Sequence, residues 1–410
     1  GYVDHRGLLV PAAFAEAAPA RPERGEIATT RDGRDITRGY LDPMSLLAPQ
    51  DPILMARGAG NYLLYREVLR DEQVAAAFHQ RRLAVVSREW EVRPGGDRRI
   101  DRQAAEFLRQ QLERIHWDAV TDRMLYGVFY GYAVAELLWG IEDGRVVIDA
   151  IKVRDRRRFA FGADGDLRLR TSANPNPGER LPPRKFWWYA TGADHDDEPY
   201  GLGLAHWLYW PVLFKRNGVK FWLVFLEKFG QPTATGRYPP SASAEEKARL
   251  LAALAAIQTD AGIILPEGMA IELLEAARSG TADYTALYDR MNAAISKVVL
   301  GHTGSSEATP GRLGGEDLAA DVRHDLIKAD ADVICQSFNR SVARWLTDWN
   351  FPGAAYPQVW RLVEEPEDLN RLAERDERLA RVGYRPTLAR VQEVYGEGYE
   401  PAPASPPAAA

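Results

Sequence analysis

A chain of 410 residues with a single cysteine, Cys335, has no partner for an internal disulfide and too few thiolates for a cysteine-based zinc site. That scarcity points to a reducing, cytoplasmic setting. Long apolar runs are equally scarce: the richest, 221–226, is closed by Glu227 and Lys228, well short of the ~18 residues that cross a bilayer. No membrane span is expected. A basic excess is missing too. Fifty-two Lys and Arg face 58 Asp and Glu, a formal charge of −6, whereas a protein that grips DNA by its phosphates needs a cation near each one it neutralises. The balance excludes a simple nucleic-acid clamp.

Catalytic signatures are absent as well. No Gly-x-x-x-x-Gly-Lys-Ser/Thr occurs, and the glycine-rich stretch 301–315 lacks the lysine and follows a helical pattern instead of a strand. Gly201-Leu-Gly203 begins like a dinucleotide fingerprint and fails at its third glycine. The seven histidines (His5, His79, His116, His195, His206, His302 and His324) form no pair that would set two ligands on one helical face. A Gly-x-Ser-x-Gly elbow is missing. Asp194-His-Asp-Asp-Glu198 offers oxygen ligands but no glycine-turned calcium loop, so it reads as a solvated acidic turn. Trp187 and Trp188, inside Phe-Trp-Trp-Tyr at strand spacing, read as core plus a partner surface. We expect no catalytic residue, no metal and no cofactor.

What the chain does have is core. Hydrophobic residues make up 46% and aromatics 10%, with 11 Trp, enough for a large interior divided over roughly two to three domains. The expected fold class is α+β, mainly helical with a small mixed β-sheet part. Residues 1–36 are rich in Ala, Pro, Arg and Gly without period and read as a flexible arm, and 401–410 as a disordered tail. The first twenty residues loosely imitate a signal peptide, which Pro11 and Glu16 spoil.

Periodicity then predicts a helix over 63–86 on Leu64, Val68, Val74, Phe78 and Leu83, and a strand over 87–96. A second helix, capped by Asp101, carries Phe107, Leu108, Leu112 and Ile115, and a third carries Val120, Met124, Leu125 and Val128. Period two takes over in short strands at 133–139, 146–153, 158–161, 166–170 and 185–189. A helix over 211–229 opens on Pro211, is apolar on nearly every face, and must be buried or packed against copies of itself. Ser243 and Glu246 form a capping box for a helix to Ile257, and strands are expected at 262–266 and 269–274. Residues 281–300 are helical. A single helix over 316–349 would run roughly 50 Å at ~1.5 Å per residue. Between these two lies the polar, glycine-rich loop 301–315, with nothing to anchor it to a core.

Four segments, in this order, carry a family likeness: Val86-Ser-Arg-Glu-Trp-Glu-Val-Arg-Pro, Tyr130-Gly-Tyr-Ala-Val-Ala-Glu, Pro199-Tyr-Gly-Leu-Gly-Leu-Ala running into Phe214-Lys-Arg, and Phe225-Leu-Glu-Lys-Phe-Gly-Gln-Pro-Thr-Ala-Thr-Gly-Arg-Tyr. The chain resembles the Mu-like portal proteins of tailed bacteriophages from about Leu41 to Leu369. The resemblance implies a phage portal fold and a non-enzymatic, dodecameric ring at one capsid vertex, through which double-stranded DNA is packaged and ejected without sequence specificity. Its implied partners are copies of itself, the major capsid protein, the large terminase subunit and a head–tail connector. It would reside in the virion after assembly in the host cytoplasm. The implied parts are a wing over 37–202, stem helices over 203–230 and 281–300, and a clip over 231–280. A tunnel loop over 301–315, a long wing helix over 316–360 and a crown over 361–400 complete the set.

On that likeness, His302, Thr303, Ser305, Ser306, Glu307 and Arg312 belong to the tunnel loop, and Glu316, Asp317 and Asp321 to an acidic channel wall. An acidic wall keeps a sliding duplex centred, and strong phosphate binding would brake it. Lys215, Arg216, Lys220 and Lys297 are the candidates for transient DNA contact, with ordinary intersubunit ion pairs as the alternative. Phe221, Trp222 and Phe225 are the expected oligomer interface. Twelve copies would carry 12 × −6 = −72. The competing reading from another class is a soluble intracellular enzyme with a carbohydrate- or metal-dependent site near Asp194–Glu198.

Overall fold

The computed structural model describes residues 2–3, 9–10, 28, 46–229, 233–257, 270–274, 283–302, 315–363, 369–384 and 386–395. Strands β1 (Tyr2–Val3) and β2 (Leu9–Val10) pair antiparallel near the start of the chain. Three helices follow: α1 (Pro52–Gly58), α2 (Leu63–Leu69) and α3 (Glu72–Val86). The continuous helix expected over 63–86 is therefore interrupted. Asp71 breaks it by taking an extended backbone and capping α3, its carboxylate accepting from Gln73 N and Val74 N at 3.1 and 3.2 Å.

Strand β3 (Trp90–Arg93) leads to α4 (Arg99–Arg114). Asp101 lies inside this helix and not at its cap: from the third helical position it reaches back to Arg98 N, 3.1 Å, and accepts from Ala355 N, 2.7 Å. Helices α5 (Trp117–Met124) and α6 (Tyr126–Tyr130) precede the long strands β4 (Tyr132–Glu142) and β5 (Arg145–Arg154). A short 3-10 turn over Arg156–Arg158 and strands β6 (Phe159–Phe161), β7 (Leu167–Leu169), β8 (Glu179–Arg180) and β9 (Phe186–Ala190) complete the sheet region. The sheets are antiparallel, in the orders β5-β4-β9 and β6-β7-β8.

Strand β4 separates two cores, and its period of two explains how. Ala133, Ala135 and Leu137 face a core with Leu108, Leu112, Trp117, Trp187 and Phe338, whereas Tyr132 and Val134 face another with Tyr65, Phe78, Phe161 and Leu208. Both faces are buried, so the alternation sorts residues between two interiors. Trp187 stacks on Trp117 with centroids 5.8 Å apart, while Trp188 stays partly exposed, as the strand spacing requires.

The remaining elements are α7 (Leu204–Phe229), β10 (Thr233–Arg237), α8 (Ala244–Ile257), β11 (Ala270–Leu274), α9 (Tyr284–Leu300), α10 (Gly315–Arg340), α11 (Val342–Asn350), β12 (Gln358–Arg361), α12 (Leu369–Arg381) and α13 (Leu388–Tyr395). Helix α7 begins seven residues before Pro211, which sits inside it and does not open it. Ala205 and Leu208 are fully buried, and that burial holds the extra turns despite the missing N–H. The capping box at α8 forms, Ser243 N donating to Glu246 Oε2 at 2.8 Å and Glu246 N to Ser243 Oγ at 3.3 Å. The strand expected at 262–266 lies outside the described residues.

The single helix expected over 316–349 is two. Ser341 leaves the helical region at φ −121°, ψ −85°, and just before it Asn339 turns its amide to Val359, bonding both N and O at 2.9 Å. Those bonds seal the outer edge of β12, which pairs with β3. Cys335 is fully buried here, and burial pushes its thiol up to about 12. It is an inert core residue.

Candidate functional site

The feature that no single-chain core accounts for is the hairpin of α7 and α9. Its root is well anchored. Ala205, Leu208, Val212 and Lys215, at steps of three, four and three, form a buried stripe, and Ile295 and Val299 of α9 join the same core. The two helices approach closely at Gly218, where an added Cβ would stand 2.9 Å from Leu287 Cδ2. Farther out, Trp222 stacks on Tyr284 at 6.4 Å and 8°.

Two polar clamps fix the root. Lys215 Nζ lies 3.0 Å from Asp71 Oδ2 and 2.6 Å from Glu72 Oε1, and Tyr288 Oη donates to Glu72 at 2.7 Å. The bonds from Lys215 and Tyr288 pull the Glu72 carboxyl down to about 2. Burial opposes charge on Lys215, but its two carboxylate partners prevail and its ammonium is held above the ordinary value. In the second clamp Arg81 forks onto Asp330 at 2.6 and 2.9 Å and donates to Val299 O at 2.7 Å. Both side chains are buried. This clamp ties α3, α9 and α10 together. Sequence reading missed it, since the partners are 249 residues apart; its one trace is an arginine on the buried stripe of α3.

The opposite side of α7 is largely exposed, with Arg57 over Trp210 at 5.5 Å and Phe225 against Tyr284 at 5.9 Å as its contacts to α1 and α9. Trp207, Trp210, Phe214, Phe221 and Phe225, at steps of three, four, seven and four, share one side of the helix and are 38–61% exposed. Leu223 and Leu226, farther out on the line of the buried stripe, are exposed as well, as is Val224. Of the residues expected at an oligomer interface, Phe221 and Phe225 lie on this stripe, and Trp222 is turned toward α9.

The candidate DNA contacts divide. Lys215 is corrected: at 3% side-chain exposure and paired twice, it is a structural cation of the hairpin root. Arg216, Lys220 and Lys297 are exposed, Arg216 donating to Glu67 O. Gly301 ends α9 in the left-handed region at φ 77°, where a Cβ would meet Val322 Cγ1 at 2.4 Å, so glycine is required. At His302 burial, then Arg323, lowers the imidazole pKa. Thr303, Ser305, Ser306, Glu307 and Arg312 lie outside the described residues. Glu316, Asp317 and Asp321 fall in α10, with their side chains outside the description.

The acidic turn does not assemble a ligand set. Glu198 points inward and accepts from Gln50 N and Tyr200 N at 3.0 Å, while the Asp194 side chain is 96% exposed. Among the described residues no group of three His, Cys, Asp or Glu is placed to hold a metal, and no helix is long and apolar enough to cross a membrane.

A long, rooted hairpin with an exposed aromatic side is thus set on an α+β body. The family model for the portal protein of Mu bacteriophage matches residues 62–397, and the chain belongs to that family. It is 30% identical over 312 residues to the portal protein of Escherichia phage Mu, covering 74% of this chain and 57% of that protein. It is 29% identical over 380 residues to the Mu-like prophage FluMu protein gp29 of Haemophilus influenzae, covering 84% and 70%. The chain thus spans little more than half the length of the Mu protein. The fold is shared with a protein of the virion of a native gene transfer agent particle at TM-score 0.53 and 13% identity, covering 81% of this chain and 92% of that one. A similar likeness, 0.52 at 15% identity, holds for a chain in the neck of the native particle computed with C12 symmetry.

Proposed function

We propose that this chain is the protomer of a dodecameric portal ring at one vertex of a phage capsid, the conduit for double-stranded DNA during packaging and ejection. The observation that carries the reading is the exposed aromatic stripe of α7. Trp207, Trp210, Phe214 and Phe221 along one side of a rooted helix stay 38–61% exposed in the monomer, and a cyclic assembly covers such a face with the next copy. The role is structural, with the motor work done by a separate subunit.

In this reading α7 and α9 are the stem, and the β10–α8–β11 unit between them is the clip that docks the large terminase subunit and later the head–tail connector. The loop 301–315 is the tunnel loop, with Glu316, Asp317 and Asp321 at its edge. The body over 37–202 and helix α10 form the wing, where the major capsid protein would bind, and α12 and α13 belong to the crown. The protein would act in the virion after assembly in the host cytoplasm.

Light scattering on the purified chain, with negative-stain imaging, tests the ring. Closed rings with a central hole are expected, and a monomer under every salt and Mg²⁺ condition overturns the proposal. Deletion of residues 304–311 should leave rings intact and impair DNA packaging; loss of assembly would make the loop an interface.

A further inference from the structure

Charge is unevenly spread along this acidic chain. Residues 152–185 hold ten Lys and Arg against four Asp and Glu, a formal +6, so the other 376 residues carry −12. This stretch contains the β6-β7-β8 sheet, and register decides where its arginines go. Phe159 pairs with Leu169 and Phe161 with Leu167, all four packing into the core that also holds Leu208 and Val212. The alternate residues must face the other way. Ala160 pairs with Arg168, Arg168 with Arg180, and Arg170 N donates to Arg158 O at 2.7 Å one step farther along.

One face of the sheet is therefore core and the other carries Arg158, Arg168, Arg170 and Arg180. Of the four carboxylates in this stretch, Asp164 and Asp166 lie at the turn between β6 and β7, Glu179 is in β8 and accepts from Thr171 Oγ1 at 2.6 Å, and Asp155 caps the turn that carries Arg158. Asp164 accepts from Arg168 at 2.6 Å and Arg180 at 3.2 Å, and Asp166 is exposed beside it. Arg168 is buried and props this face, and Arg158, Arg170 and Arg180 are exposed. Among the described residues Arg158 and Arg170 have no carboxylate partner.

We infer that this arginine face is a second DNA-binding surface, separate from the conduit, that holds duplex phosphates without reading bases. The face bears no apolar side chain larger than Ala160, so it lacks the buried anchors that a protein interface needs. It has no aromatic platform for unstacked bases. What it offers is guanidinium donors on a rigid sheet at strand spacing, the chemistry of phosphate contact. It goes beyond the ring proposal, since it requires neither a ring nor a channel.

The test is binding of a fluorescent 30-base-pair duplex to the full chain from 50 to 200 mM salt, with assembly followed by light scattering in the same samples. The triple variant Arg158→Ser, Arg170→Ser, Arg180→Ser should bind roughly tenfold more weakly, and its log-affinity against log-salt slope should be shallower by about 2.7, at ~0.9 per lost contact. Changing the same three residues to Lys should restore both. Removing equal charge from the exposed side chains of α12, with Arg375→Ser, Arg378→Ser, Arg381→Ser, should change neither. Circular dichroism checks that each variant is folded. An unchanged slope in the triple variant, an equal loss in the α12 variant, or displacement of duplex by polyglutamate at matched charge overturns the inference, the last by pointing to an acidic protein. Loss of rings with duplex binding kept would count against the ring alone.

Discussion

Helix α7 carries two stripes of similar texture with opposite fates. Ala205, Leu208 and Val212 are sealed within the chain's own core, while Trp207, Trp210, Phe214, Phe221 and Phe225 face outward. Apolar content alone does not distinguish them; the aromatic side is the more hydrophobic of the two. The difference lies in which side the tertiary fold reaches. The buried stripe is met by this chain's own helices, α2, α6 and α9 among them, whereas the aromatic side has scattered contacts such as Arg57 over Trp210 at 5.5 Å and Phe225 against Tyr284 at 5.9 Å. Fold and assembly are thus written on two sides of one helix, and variants can separate them.

The largest effect on the fold is expected from Val212→Asp. It buries a carboxylate without a partner and should cost about 5 kcal/mol, read as loss of the cooperative urea transition at its normal midpoint. Next is Asp330→Ala, which strands Arg81 in the interior at a cost of about 3–5 kcal/mol. The double change Arg81→Leu, Asp330→Leu should recover much of that loss, because the remaining site is apolar; no recovery would mean that the clamp's geometry matters more than its charge.

A smaller effect belongs to pH. Glu72 has its carboxyl lowered from 4.5 to about 2, so its contribution is present above pH 4.5 and is lost as pH falls toward 2. Because the side chain is largely exposed, the contribution is under about 1 kcal/mol. Glu72→Gln should flatten the urea midpoint over that window, and an unchanged slope would show that the Lys215 clamp relies on Asp71 alone. The smallest effect on the fold is Phe221→Asp, within about 0.5 kcal/mol by the same urea assay, because the side chain is already in water. Yet that variant should abolish ring formation in light scattering. Normal rings would remove the aromatic stripe from the interface.

Much of the architecture was legible where one physical signal dominated. Period two marked the strands of the sheet region, and the Ser243 and Glu246 capping box marked the start of α8. Boundaries failed where two signals competed. Leu64, Val68 and Val74 continue a helical period across Asp71, and nothing local says that Asp71 will turn to cap the next helix and meet Lys215. Pro211 reads as a helix start, and only the burial of Ala205 and Leu208 puts it inside one. Val333 to Trp349 reads as unbroken, and only the pairing of Asn339 with β12 explains the break at Ser341.

The sequence by itself determined the absence of recognisable catalytic motifs, the family likeness, the mixed fold class and an apolar helix that needs covering, because these rest on residue types and short spacings. Tertiary structure decided which side of that helix is covered, that Lys215 is a strut and no DNA contact, and that four arginines share one sheet face. Each of those depends on residues far apart in sequence and on strand register, which local propensity does not encode.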